Sequence, residues 1–161
     1  FLTVGPKQAH GPNPRLLWVL QEAWPSPVAI SQPAVGPIPA SLANIDPQRI
    51  DFTRNKLEGD ASMLFGRNKT TQIIDVSRNL LAFDLSKVEF PTSLISLDLN
   101  HNQINGSIPM GLTAVNFLQL FNVSYNWLCG KIPQGGRLQE FDVYSYFHNK
   151  CLCGSPLPSC K

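Results

Sequence analysis

IDFTRNKLEG (50–59), IDVSRNLLAF (74–83), LDLNHNQING (97–106) and FNVSYNWLCG (121–130) are four versions of one ten-residue phrase. Their anchor asparagines, Asn55, Asn79, Asn102 and Asn126, are 24, 23 and 24 residues apart. In each phrase apolar residues stand five and three positions before the Asn: Ile50 and Phe52, Ile74 and Val76, Leu97 and Leu99, Phe121 and Val123. Alternation with period two predicts a short strand with one face turned inward. A further apolar residue two positions after the Asn (Leu57, Leu81, Ile104, Leu128) keeps feeding the same core after the chain turns. An Asn inside that turn can both donate to and accept from backbone groups that the bend leaves unpaired, so the four predict a ladder through the molecule.

The period is that of a leucine-rich repeat. It predicts an α/β solenoid: a right-handed horseshoe with short parallel strands on the concave face and a 3-10 or irregular convex side. Gly36-Pro37-Ile38-Pro39, Gly106-Ser107-Ile108-Pro109 and Gly130-Lys131-Ile132-Pro133 add a G-x-I-P step, in which Gly permits a bend and Pro blocks further ladder pairing. That step resembles the plant-specific subclass. The repeat at Asn79 has Phe83 for the Gly and Ser86 for the Pro, so its turn is expected to differ.

Composition sets outer bounds. The chain has 161 residues, a net charge of +2 and 15% charged residues, which excludes bulk-charge binding of nucleic acid and an acidic disordered tail. No run of about 20 apolar residues is present to enter a membrane. Eight of the 14 prolines (Pro6, Pro12, Pro14, Pro25, Pro27, Pro33, Pro37, Pro39) fall in the first quarter, which breaks up long helices there. Three parts follow: an atypical segment 1–35, repeats over 36–133 and a cysteine-containing cap over 134–161. Within the first, Arg15–Trp24 reads as a short helix between prolines. A sharper reading is a shifted frame: with free codon choice, Lys7 to Trp24 read one base later can spell NKLTGPIPDSFGSFKKPG, and Ser31 to Val35 can spell HNQLS. The resulting asparagines start at Lys7 and Gln32, 25 and 23 residues from the next anchors, in register with the rest.

The runs NKLEGDASMLFGRNKTTQIIDVSRNLLAFDLSKVEFPTSL (55–94), NVSYNWLCGKIPQGG (122–136) and FHNKCLCGSPLPSCK (147–161) resemble the carboxy-terminal half of plant polygalacturonase-inhibiting proteins. The resemblance implies a secreted protein of the plant cell wall and apoplast. It also implies a non-enzymatic inhibitor of fungal endopolygalacturonases acting in plant defence, and further repeats and an amino-terminal cysteine cap in a complete member. Cys129, Cys151, Cys153 and Cys160 fit disulfides covering the open end of the solenoid core. A Cys151–Cys153 bridge spans too few residues, which leaves Cys129–Cys151 with Cys153–Cys160, or the crossed pairing; the resemblance favours the former. No finger-type Cys/His spacing supports zinc, and no metal or cofactor is expected. Sequons at Asn68, Asn105 and Asn122 are candidate glycosylation sites, Asn122 lying on a predicted strand.

No G-x-S-x-G elbow, P-loop or H-E-x-x-H is present, and His10, His101 and His148 stand isolated, so no catalytic residue is assigned. Asp51, Asp75 and Asp98 lie between the inward residues of their strands and are expected to stack as a column on the concave sheet. Arg54 and Arg78 form a parallel column, continued by His101 and Tyr125. Like charges so placed are mildly destabilising, which fits a surface kept for a partner, although Asp here is also a common repeat habit. The expected partner face is Asp51, Thr53, Arg54, Gln72, Asp75, Ser77, Arg78, Asp98, Asn100 and His101, blocking the enzyme's pectin-binding cleft by shape and charge. Its cations can also meet galacturonate carboxylates of pectin itself. A receptor-ectodomain fragment and an ice-binding relative are the alternatives; ice binding favours regular Asn or Thr arrays, which the mixed charges here do not supply.

Overall fold

The computed structural model of the chain describes Leu2–Thr3 and residues 34–161. Two parallel sheets run along the molecule. The concave one contains β1 (Leu2–Thr3), β3 (Arg49–Asp51), β5 (Ile73–Asp75), β7 (Ser96–Asp98) and β8 (Leu120–Asn122), in the order β1-β3-β5-β7-β8. Its register aligns Ile50, Ile74, Leu97 and Phe121 in one inward row, each buried. The second sheet is β2 (Val35–Pro37), β4 (Lys56–Gly59) and β6 (Leu80–Leu81), extended by a bridge between Asp84 and Asn105. Phe52, Val76, Leu99 and Val123, then Leu57, Leu81, Ile104 and Leu128, are all fully buried between the sheets and the convex side. Burial of each such side chain stabilises by about 1.5–3 kcal/mol, and stacking the repeats makes the core continuous.

The convex side uses 3-10 turns rather than α-helices: Ala40–Asn44, Ser62–Leu64, Leu85–Lys87 and Met110–Ala114, with Val143–Ser145 in the cap region. Pro39 and Pro109 precede two of them with extended dihedrals, as the G-x-I-P steps require. Asp46 ties neighbouring turns, accepting from Thr70 N at 2.9 Å, Thr70 Oγ1 at 2.9 Å and Thr71 Oγ1 at 3.2 Å. The Asn79 repeat differs as expected. Gly59, Gly106 and Gly130 adopt φ of 75°, 83° and 103°, whereas Phe83 is absent from the left-handed set and packs inward 6.1 Å from the Phe65 ring. Asp84 then replaces the missing proline as a cap, its Oδ1 accepting from Ser86 N at 3.0 Å. A Cβ on Gly106 would collide with that Asp84 carboxylate, so the following repeat needs glycine there.

At the far end β9 (Cys129–Lys131) pairs with β10 (Cys151–Cys153). Cys129 is bonded to Cys151 and Cys153 to Cys160. Closing a loop of 22 residues restricts the unfolded chain and contributes about 3 kcal/mol. The double substitution Cys129→Ser with Cys151→Ser is expected to lower the denaturant-unfolding free energy by that amount; a change below about 1 kcal/mol would contradict this account of the cap.

Near the start, the helix read over Arg15–Trp24 lies outside the described residues, as does most of the shifted-frame segment. The described end at Ala34 already follows the repeat. Ala34 N donates to Asn55 Oδ1 at 2.7 Å, two positions after Gln32, where the shifted frame puts an Asn. Leu2 pairs directly with Ile50, 48 positions on and twice the separation of the other paired strands, so β1 occupies the place next to β3 without following the 23–24-residue spacing. Of the two described ends of the atypical segment 1–35, the one at Ala34–Val35 follows the repeat spacing and the one at Leu2 does not.

Candidate functional site

The concave face is built from one local device used in every repeat. Asp51 Oδ1 accepts from Thr53 N at 3.2 Å and Thr53 Oγ1 at 2.8 Å; Asp75 Oδ1 accepts from Ser77 N at 3.0 Å and Ser77 Oγ at 2.6 Å. Asp98 Oδ1 accepts from Asn100 N at 3.1 Å and Asn100 Nδ2 at 2.6 Å, and Asn122 Oδ1 accepts from Ser124 N at 3.0 Å and Ser124 Oγ at 2.7 Å. Each bond set folds the strand end over, an Asx-type turn. The next residue is then left-handed: Arg54, Arg78, His101 and Tyr125 have φ of 58°, 57°, 54° and 55°. Non-glycine residues rarely sit there, and the neighbouring turn and Asn ladder hold them in place.

The ladder lies just beneath. Asn79 Nδ2 donates to Phe52 O at 2.9 Å, Val76 O at 3.0 Å and Ser77 O at 3.2 Å, while its Oδ1 accepts from Leu57 N at 3.0 Å. Asn55, Asn102 and Asn126 occupy equivalent buried positions, and Oδ1 of Asn102 and Asn126 accepts from Leu81 N and Ile104 N, each at 3.0 Å. Sequence reasoning missed a fifth member. Asn149 Nδ2 donates to Val123 O at 3.0 Å and Tyr146 O at 2.9 Å, and its Oδ1 accepts from Leu128 N at 3.1 Å. The signal was its place 23 residues after Asn126, hidden because Cys151 replaces the following Leu.

Two columns of different character result. The register aligns Asp51, Asp75, Asp98 and Asn122, all half-buried. Asp51 also accepts from Arg49 Nη2 at 3.2 Å through Oδ2. The second column is Arg54 and Arg78, both exposed and in no ion pair among the described residues, then His101, Tyr125 and His148. Tyr125 stacks between the two histidines, with centroids 4.1 Å from His101 and 4.3 Å from His148. His148 is thus not isolated. Of the expected contact residues, Ser77 is buried, 4% exposed, and its hydroxyl is committed to Asp75, so it supports the face instead of presenting itself. Gln72 is exposed immediately before β5, and Thr53 and Asn100 are half-buried turn residues.

Electrostatics follow from this packing. Burial pushes the Asp98 carboxyl above its ordinary value, helped by the Asp75 charge and opposed by the Asn100 hydrogen bonds and Arg78. A raised acid pKa means that the protonated form suits the fold. Its stabilising contribution is full below the unfolded value of 3.8 and is lost as pH rises through the folded one. Asp98→Asn keeps the Oδ1 acceptor, as Asn122 does naturally, and is expected to gain in Tm relative to the parent between about pH 3.5 and about pH 7. Melting curves in which the difference shrinks with pH would contradict the assignment. Burial, Arg78 and His148 together lower the His101 imidazole, which favours its neutral form near neutral pH.

A family model described as Leucine Rich Repeat matches residues 93–114. Polygalacturonase inhibitor 1 of Arabidopsis thaliana is 68% identical over 118 residues, 73% of this chain and 36% of its own length. The chain belongs to the leucine-rich-repeat family and is homologous to the polygalacturonase inhibitors. The polygalacturonase inhibitor of Pyrus communis is 71% identical over 112 residues, 70% of the chain and 34% of the relative. This leucine-rich-repeat chain therefore spans about one third of the length of the relatives it matches. Among solved structures, a plant ice-binding protein superposes with a TM-score of 0.78 at 53% identity, covering 83% of this chain and 43% of the other. No cluster of His, Cys, Asp or Glu able to hold a metal occurs among the described residues, and all four cysteines are in disulfides.

Proposed function

We propose that this chain carries part of the inhibitory face of a secreted plant polygalacturonase inhibitor, acting on fungal endopolygalacturonases in the cell wall. The observation that carries the reading is the pair Arg54 and Arg78: exposed, without an ion-pair partner among the described residues, and held on turns that the Asp column and the Asn ladder fix in place. A preorganised cation costs little to order on binding, and a row of cations beside a row of carboxylates favours a partner with the complementary pattern. Docking would obstruct the cleft that takes pectin, with no covalent step. The same cations suit a weaker, salt-sensitive contact with pectin carboxylates. Homology at 68% supports the inhibitor role, and the two disulfides support an oxidising, extracytoplasmic location.

Titrating the folded chain into a fungal endopolygalacturonase assay tests this. Saturable loss of pectin cleavage is expected; undiminished cleavage would reject the reading. The likeness to an ice-binding protein motivates a second reading, tested by ice recrystallisation. The Asp, Arg, His and Tyr columns lack a repeated array of Thr or Asn and disfavour it.

A further inference from the structure

We infer that Asn105 carries an N-linked glycan whose first N-acetylglucosamine seats on the indole face of Trp127. Asn105-Gly106-Ser107 is a sequon, and Asn105 is exposed on the second sheet. Its backbone is fully used: Asn105 N donates to Phe83 O and its carbonyl accepts from Leu85 N, which leaves the side chain directed outward with no hydrogen bond among the described residues. On the other side, Trp127 N donates to Ile104 O at 2.8 Å and Cys129 N to Gly106 O at 2.9 Å. These two bonds straddle Asn105 and set Trp127 beside it in a parallel ladder, where adjacent side chains are about 5 Å apart.

Trp127 is 57% exposed, so its indole face is open to a ligand. It forms one wall of an open groove of ≈ 750 Å³ that Asn105 itself lines, with Tyr125, His148 and Lys150 across from it. That volume lies within the range of small-ligand sites, about 300–1,000 Å³. The groove has no carboxylate in its lining, and its ring faces suit the C–H face of a neutral sugar. Asn105 supplies the tether, so the occupant needs no affinity of its own.

The other two sequons differ. Asn68 is exposed on the convex side. Asn122 is half-buried in the concave sheet opposite Asp98, with Oδ1 turned back onto Ser124. A glycan at Asn105 would border the concave face at Tyr125 and His148 and leave Arg54, Arg78 and His101 open. In the transfer itself, Asn105 Nδ2 bonds to C1 of the sugar and loses a proton, and the C1–O bond to a lipid-linked diphosphate breaks with the diphosphate leaving. The inference rests on the secretory part of the proposed function.

The test is the full chain secreted from a plant or yeast host behind a supplied leader, compared with Trp127→Ala, Asn105→Gln and the double variant. Glycopeptide mass mapping is expected to find Asn105 occupied. The N-acetyl methyl resonance of the first sugar is expected upfield by ring current and normal in Trp127→Ala. Asn105→Gln is expected to lower Tm by about 3 °C in the parent and by nothing measurable in Trp127→Ala. Asn105 empty with Asn68 occupied would overturn the inference while leaving the secretory reading intact; all three sequons empty would overturn both. Asn105 occupied with a methyl shift indifferent to Trp127→Ala would overturn the seat.

Discussion

Asn79→Ala is expected to lower the unfolding free energy by about 3–5 kcal/mol, among the largest effects of any single substitution in the described repeats. The loss has identifiable parts. Leu57 N, buried in the core, loses its acceptor at 3.0 Å, and a buried backbone donor left unpaired costs about 1–3 kcal/mol. Phe52 O, Val76 O and Ser77 O each lose a donor, at roughly 1 kcal/mol or less apiece because Phe52 O keeps Asn55 Nδ2 and Val76 O keeps Asn102 Nδ2. A small cavity adds to this. Since Asn79 bonds to both its own turn and that of the preceding repeat, the damage crosses the repeat boundary, as nearest-neighbour coupling in a solenoid demands. Urea unfolding checks it, with the exposed Thr92→Ala as a control expected within about 0.5 kcal/mol of the parent. A destabilisation by Asn79→Ala of less than about 1 kcal/mol would mean that the ladder is not what holds the turns.

The proposed inhibitor face yields the second large effect. Charge reversal at Asp75 is a poor probe, because Asp75 Oδ1 holds Ser77 N and Oγ and its loss would unfold the turn along with any contact. Arg54 and Arg78 are better targets: neither holds an ion pair among the described residues, and a Glu side chain meets the left-handed backbone with the same Cβ constraint. Each reversal both removes an attraction and introduces a repulsion, worth about 2 kcal/mol or more at a docked interface. The double variant Arg54→Glu with Arg78→Glu is therefore expected to weaken inhibition at least about 1,000-fold with an unchanged melting curve.

Much of this architecture was legible from spacing alone. Four asparagines at intervals of 23 or 24, with apolar residues at fixed offsets, determine which side chains face inward, and every one of those twelve apolar positions is buried. The break at Phe83 was legible too, since a Cβ disfavours the left-handed turn that glycine adopts at the same place in the other repeats. The turn role of the acids was harder to see. The signal was present, a hydrogen-bonding residue two positions after each Asp or Asn (Thr53, Ser77, Asn100, Ser124), but without the bend an acid on a strand reads as a free surface charge. The stacking of Tyr125 between His101 and His148 depends on the strand spacing and on the extra turn formed within the cap. That extra turn escaped notice because its core position holds a cysteine, Cys151, bonded to Cys129.

The central claim is that the concave cation column meets the enzyme. Its most direct test is endopolygalacturonase inhibition measured side by side for the parent chain, the Arg54→Glu, Arg78→Glu variant and a convex-side control, Arg67→Glu, whose Arg67 is exposed and paired with Glu89 at 2.8 Å. The account expects inhibition by the parent and the control and its loss in the concave variant. Equal inhibition by all three folded proteins would contradict it.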